Sequence, residues 1–128
     1  MFFIYEKRDN TLSFIYEKRD ILSDSISLYK GVIAENYVAN QLVVNNHDLF
    51  YWQNNTSEID FLIYSNDGII PVEVKANDNT RSKSLNVYYE KYHPKYMIRV
   101  SAKNFGYDDK KKIKSVPLYA VFCIEKDF

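Results

Sequence analysis

The period of hydrophobic positions changes along this chain, and each change predicts an element. From Ser25 onward, Leu28, Val32, Glu35, Ala39 and Leu42 recur at 4-3-4-3 spacing. That spacing sets them on one stripe and predicts an amphipathic helix over about residues 25–46. The Asn45-Asn46 pair predicts where it stops. Gly31 costs it about 1 kcal/mol of helix propensity and suggests close packing. Glu35 stands out, because it occupies a position on the stripe where an aliphatic core residue is expected.

Beyond the helix the pattern shortens to strands at Leu49–Gln53, Glu58–Tyr64 and Ile69–Lys75. Ser65-Asn66-Asp67-Gly68 predicts a hairpin between the last two. Pro71 suggests that its strand lies at an edge or carries a bulge. Leu85, Tyr88, Tyr89 and Tyr92 share a helical face over about residues 82–92, ending before Pro94. Strands over Lys95–Ser101 and Val116–Phe122, joined by a polar loop, close the order αβββαββ. The fold class is α/β with a mixed central sheet flanked by helices.

Alternation sorts the hairpin into two faces. Ile59, Phe61 and Ile63 fall on one side of the first strand, with Glu58, Asp60 and Leu62 on the other. In the second strand Ile70, Val72 and Val74 are apolar neighbours, and Glu73 and Lys75 point away from them. Two registers are open. A four-residue loop over Ser65–Gly68 makes paired residue numbers sum to 133, setting Asp60 opposite Glu73 and Glu58 opposite Lys75. Two carboxylates ~5 Å apart at an effective dielectric near ~20 repel by about 3 kcal/mol. A divalent cation converts that repulsion into coordination, and Mg²⁺ suits one or two carboxylates completed by water and a substrate phosphate. Lys75 would then polarise a metal-bound water or neutralise the transition state, and Glu35 could add a further ligand. If Asp67-Gly68 instead forms a two-residue type I′ turn, the numbers sum to 135 and Asp60 faces Lys75 in an ordinary ion pair.

Composition narrows the function classes. The 128 residues make one domain's worth of chain, with 17 basic and 17 acidic side chains. A neutral balance argues against a nonspecific polyanion binder, although residues 1–64 carry −4 and residues 65–128 carry +4. Lys110, Lys111, Lys112 and Lys114 account for that excess and read as a solvated loop. The 12 tyrosines and 12 asparagines are read as codon bias more than as stacking platforms. No run approaches the ~18 apolar residues of a membrane span, and the charges in MFFIYEKRDN argue against a signal peptide. With a single cysteine, Cys123, neither a disulfide framework nor a cysteine-rich zinc site is expected, and the expected setting is a reducing cytoplasm. Three glycines and no GxxxxGK[ST] or GxGxxG leave no phosphate-cradling loop, and no GxSxG elbow is present.

The remaining candidates carry bland readings beside functional ones. His47 and His93 stand too far apart for a zinc site, and His47 is expected near a helix C-terminus. Cys123 reads as strand packing. Tyr88, Tyr89 and Tyr92 read as helix core more than as base-stacking platforms. Arg81, Lys83, Lys91, Lys95, Arg99 and Lys103 form either a phosphate-binding face or a solvated one. FIYEKRD occurs at Phe3–Asp9 and again at Phe14–Asp20, which divides the chain into a duplicated arm, 1–24, and a domain, 25–128. The copies could share a helical face or form a hairpin turned at Asp9-Asn10-Thr11, and a local duplication explains them without chemistry.

Asp60, Glu73 and Lys75 on a hairpin, preceded by a helical Glu35, resemble the PD-(D/E)XK nuclease superfamily. The segments LYKGVIAENYVANQL, LFYW, SEIDFLI, PVEVKA, NTRSKSL and VPLYAVF resemble, in order, one bacterial and archaeal family. It is the domain of unknown function that follows the ATPase module in a group of AAA-type ATPases. The resemblance spans roughly Leu28 to Phe122 and implies a restriction-endonuclease-like αβββαβ core. It implies Glu35, Asp60, Glu73 and Lys75 as a nuclease-type quartet, with Glu35, Asp60 and Glu73 toward Mg²⁺ and nucleic acid as substrate. Arg81, Lys83 and Arg99 are the expected phosphate contacts. No Walker motif precedes residue 28, so the chain reads as a truncated, split or stand-alone version. The expected alternative is a noncatalytic module docking on an ATPase or a homologous chain, its quartet retained as an ion-pair network.

Overall fold

A computed structural model describes residues 2–4, 26–76 and 82–125. Apart from a first strand, β1 (Phe2–Ile4), the duplicated arm lies outside the described residues, as does Arg81. Helix α1 (Ile26–Val44) leads into strands β2 (Phe50–Gln53), β3 (Glu58–Ser65) and β4 (Gly68–Lys75). Helix α2 (Lys83–Tyr92) is followed by β5 (Met97–Ser101), β6 (Gly106–Asp108) and β7 (Ile113–Pro117), and a 3₁₀ helix, Leu118–Cys123, completes the order. The strands form one mixed sheet in the order β1-β2-β3-β4-β5-β7-β6. The β4–β5 and β5–β7 pairs are parallel and the other pairs antiparallel.

The asparagine pair ends α1 as expected, through a Schellman arrangement. Asn46 takes the left-handed conformation (φ 65°), its N–H donates to Val43 O, and the N–H of His47 donates to Leu42 O. His93, with φ 49°, closes α2 by donating its N–H to Tyr89 O.

Two apolar layers sandwich the sheet. On one side Val38, Ala39 and Leu42 of α1 pack with Phe61, Ile63, Ile70, Val72, Ile98, Val100 and Val116. On the other, Leu85 and Tyr88 of α2 pack with Trp52, Ile59, Leu62, Met97 and Ile113. Ile59 therefore does not share a face with Phe61 and Ile63, contrary to simple alternation. The cause is a β-bulge: Phe50 pairs with Leu62 but Trp52 pairs with Ile59, so two steps on β2 match three on β3.

The hairpin keeps the register in which paired numbers sum to 133, but through a tighter turn than expected. Ser65 pairs with Gly68, leaving Asn66-Asp67 as a two-residue turn, with Gly68 at φ 101°. Asp67 N–H donates to Ser65 Oγ. Pro71 was expected at an edge or a bulge, yet β4 is an inner strand. In this register Pro71 points its missing N–H toward β5, and the β5 ladder starts only at Val72.

The run Val116–Phe122, expected as a strand, is corrected. The strand is Ile113–Pro117, and the chain then coils. Adjacent Ala120 and Val121 are both buried while Tyr119 and Phe122 are exposed. A strand would place Ala120 and Val121 on opposite faces. The polar loop before it contains β6, every residue of which is exposed. Without a buried face it carries no hydrophobic signal. Lys110, Lys111 and Lys112 lie in the turn between β6 and β7, and Lys114 sits 3.9 Å from the Tyr96 ring centroid.

Candidate functional site

Strand β4 projects Val72 and Val74 into the α1 layer, so alternation turns Glu73 and Lys75 toward α2. Glu73 is buried, at 4% exposure. Its Oε1 lies 3.5 Å from Lys75 Nζ, and its Oε2 has no hydrogen-bond partner. Burial pushes the Glu73 carboxyl above its ordinary value, and the charges of Lys75 and, more weakly, Arg99 pull it back down.

Asp60 sits at the β3 bulge, where the β3–β4 ladder ends at Phe61–Val72. Its Oδ2 accepts the main-chain N–H of Val74 at 2.8 Å, tying the carboxylate to the residue between Glu73 and Lys75. Asp60 is not clasped by Lys75, whose ammonium goes to Glu73.

Arg99 pairs in register with Glu73 across the parallel β4–β5 ladder. Its Nη1 donates to Ser82 Oγ at 3.0 Å and its Nη2 to Ser115 Oγ at 3.1 Å. Ser82 caps the start of α2 without bonding the helix backbone through its side chain, and Ser115 lies on β7. These two serines were missed at the sequence level. Ser82 carried a helix-start signal, whereas Ser115 carried none. Lys83 is exposed at the first residue of α2.

Glu35 falls on the α1 stripe shared with Val38, Ala39 and Leu42, hence on the layer opposite Glu73. The fold thus gathers Glu73, Lys75 and Arg99, brings Asp60 to the same strand, and sets Glu35 apart from them. Among the described residues, no group of three or more His, Cys, Asp or Glu is placed to hold a metal ion. Asp60 and Glu73 are donors of the chemical type Mg²⁺ takes, hard carboxylate oxygens. Two carboxylates on neighbouring strands are the hard-oxygen ligands this ion takes alongside water, and Glu73 Oε2 is a buried acceptor that lacks a donor.

The remaining candidates find structural places. His47 is buried, with Nε2 2.7 Å from the Ile124 carbonyl, and Asn45 Nδ2 donates to the Phe122 and Ile124 carbonyls. Together they lash the C-terminal segment to the end of α1. Trp52 meets Tyr88 and Tyr92 edge-on and donates its indole N–H to the Tyr92 hydroxyl. Cys123 is half-buried in the 3₁₀ helix.

The site defines a mixed α/β domain with a buried acidic group at the polar end of a β-ribbon, flanked by cations. Residues 30–120 match the family described as Domain of unknown function (DUF4143), and the chain belongs to that family. No curated protein and no solved structure matches it. Among the described residues, no helix is long and apolar enough to cross a membrane.

Proposed function

We propose that this is a nuclease-like domain of the PD-(D/E)XK kind, acting on phosphodiester bonds of nucleic acid with Mg²⁺ and working in company with an AAA-type ATPase. The observation that supports it is a buried Glu73 with an unsatisfied Oε2, a lysine two residues on along the same face, and an aspartate tied to the residue between them. Asp60 and Glu73 would hold the ion, which supplies Lewis acidity and a more acidic bound water. Lys75, half-exposed, is placed to neutralise charge gathering on a phosphate. Asp60 also orients the Glu73–Lys75 stretch through its bond to the Val74 N–H.

Mg²⁺-dependent cleavage of single- and double-stranded DNA and RNA by the purified chain tests this, with Asp60→Asn as control. Activity in the wild type and a loss of about 100-fold or more in the variant is expected. Equal residual activity in both removes the catalytic assignment.

A second reading, a noncatalytic docking module, is favoured by one observation. Lys75 already pairs with Glu73 at 3.5 Å, as in an ion-pair network. Calorimetric titration with Mg²⁺ separates the two. An isotherm abolished by Glu73→Ala supports the nuclease, and no heat in the wild type supports docking.

A further inference from the structure

We infer that the cleft between the β2–β3 turn and the first turn of α2 is a nucleobase site, taking an unpaired base that carries an exocyclic amine. That the base belongs to the substrate rests on the nuclease reading above. The cleft has a volume of about 360 Å³ and is walled by residues 53–58 and by Ser84 of α2. Two elements lead from it into the site already described. Glu58 stands two residues before Asp60 on β3, a step of about 7 Å along a strand. Ser84 stands two residues after Ser82, whose hydroxyl accepts from Arg99. A base in the cleft is therefore a near neighbour of a phosphate held at Asp60 and Glu73.

The chemistry of the wall selects the ligand. Asn54 Oδ1 accepts the N–H groups of Thr56 and Ser57 at 2.9 and 2.7 Å and the Thr56 hydroxyl at 3.4 Å, and Asn54 N–H donates to Ser57 O at 2.9 Å. The turn is thus built before any ligand arrives, and the Asn54 carboxamide keeps only its NH₂ to offer. Among the described residues, the side chains of Gln53, Asn55, Glu58 and Ser84 are committed to no hydrogen bond or ion pair. They supply carboxamides, a hydroxyl and one carboxylate, and no cation lines the cleft. A phosphate brings only acceptors and negative charge, which Glu58 repels. A base edge brings donors and acceptors side by side on a neutral ring, the pattern carboxamides pair with, and a carboxylate accepts from an exocyclic amine. That edge is open only in an unpaired base. Uracil, thymine and hypoxanthine carry a carbonyl where cytosine and adenine carry the amine, and so set acceptor against acceptor at Glu58.

Nucleosides test the cleft without a phosphate, a metal or a cleavage step. In heteronuclear NMR titrations of the full chain, adenosine and cytidine are expected to shift the backbone amides of Asn54, Asn55 and Ser84 saturably. Inosine and uridine should bind about fivefold more weakly or less. Glu58→Ala, at an exposed position where folding is little affected, should bring the first pair down to the level of the second. Three results overturn the inference: no saturation by adenosine or cytidine up to about 10 mM, equal binding of inosine, or an unmoved preference in Glu58→Ala. In Mg²⁺-dependent cleavage, single strands of cytosine are expected to show a KM about fivefold below that of thymine strands, a gap that Glu58→Ala closes. Saturable nucleoside binding by a chain that cleaves nothing keeps the base site and overturns the nuclease reading. Cleavage without nucleoside binding keeps the nuclease and overturns the base site.

Discussion

The carboxylate of Asp60 stands where a main-chain carbonyl would: its Oδ2 accepts the Val74 N–H at 2.8 Å, just past the last residue pair of the β3–β4 ladder. In this hairpin the N–H groups of Gly68, Ile70, Val72 and Val74 all turn toward β3. The bulge carries the β3 backbone out of line at the fourth of them, and the aspartate closes the gap. One residue is thereby both the end of a strand pairing and a candidate ligand.

Removing that acceptor separates the two roles. Asp60→Ala leaves the Val74 N–H without its partner and is expected to destabilise the fold by about 1–3 kcal/mol in urea unfolding. Asp60→Asn keeps an acceptor oxygen and should lose less than about 1 kcal/mol while abolishing Mg²⁺-dependent cleavage. Loss of stability in the asparagine variant equal to that in the alanine variant would show that the charge, not the hydrogen bond, holds Val74.

Glu73 makes stability depend on pH with a definite sign. Its carboxyl is raised from the ordinary 4.5, so the folded state binds a proton that the unfolded state has already released. Its contribution is fully present below 4.5 and is lost as pH rises through the folded value. Urea midpoints measured from pH about 4 upward should therefore fall across that window and then level. Glu73→Gln should flatten that portion of the curve, and an unchanged slope would contradict it.

Asn46 turns the chain after α1 at φ 65°. Asparagine tolerates this region and glycine enters it without a Cβ penalty, so Asn46→Gly should be neutral or stabilising by up to about 1 kcal/mol. Asn46→Val should destabilise by about 1–2 kcal/mol. Thermal unfolding of the two variants reads the difference. A valine variant as stable as the wild type would mean that the turn relaxes elsewhere.

Leu42 and Val44, both aliphatic and two residues apart, should respond very differently to alanine. Leu42 is fully buried and Val44 is 71% exposed. Leu42→Ala should cost about 2–5 kcal/mol. Val44→Ala should stay within about 0.5 kcal/mol. Urea unfolding of the isolated chain checks both, and a large loss at Val44 would show that this helix face is covered in solution.

Local information carried the elements whose signal lies within one turn or one strand. The α1 stripe from Val38 to Leu42, its stop at Asn45-Asn46, the hairpin at Ser65–Gly68 and the polar side bearing Glu73 and Lys75 were all legible, because periodicity and turn chemistry act between near neighbours. The bulge that carries Ile59 across the sheet was not, since it is a mismatch between two strands and neither sequence records it. The coil at Leu118–Cys123 was hidden for a similar reason: an apolar run reads as a strand until α1 is there to bury Ala120 and Val121 together. Two registers of the hairpin suited the pattern equally, and it took the fold to choose the one in which Lys75 turns to Glu73 and Asp60 to Val74. Side-chain chemistry is written residue by residue, but which charges meet depends on strand pairing and layer, and those are properties of the assembled sheet.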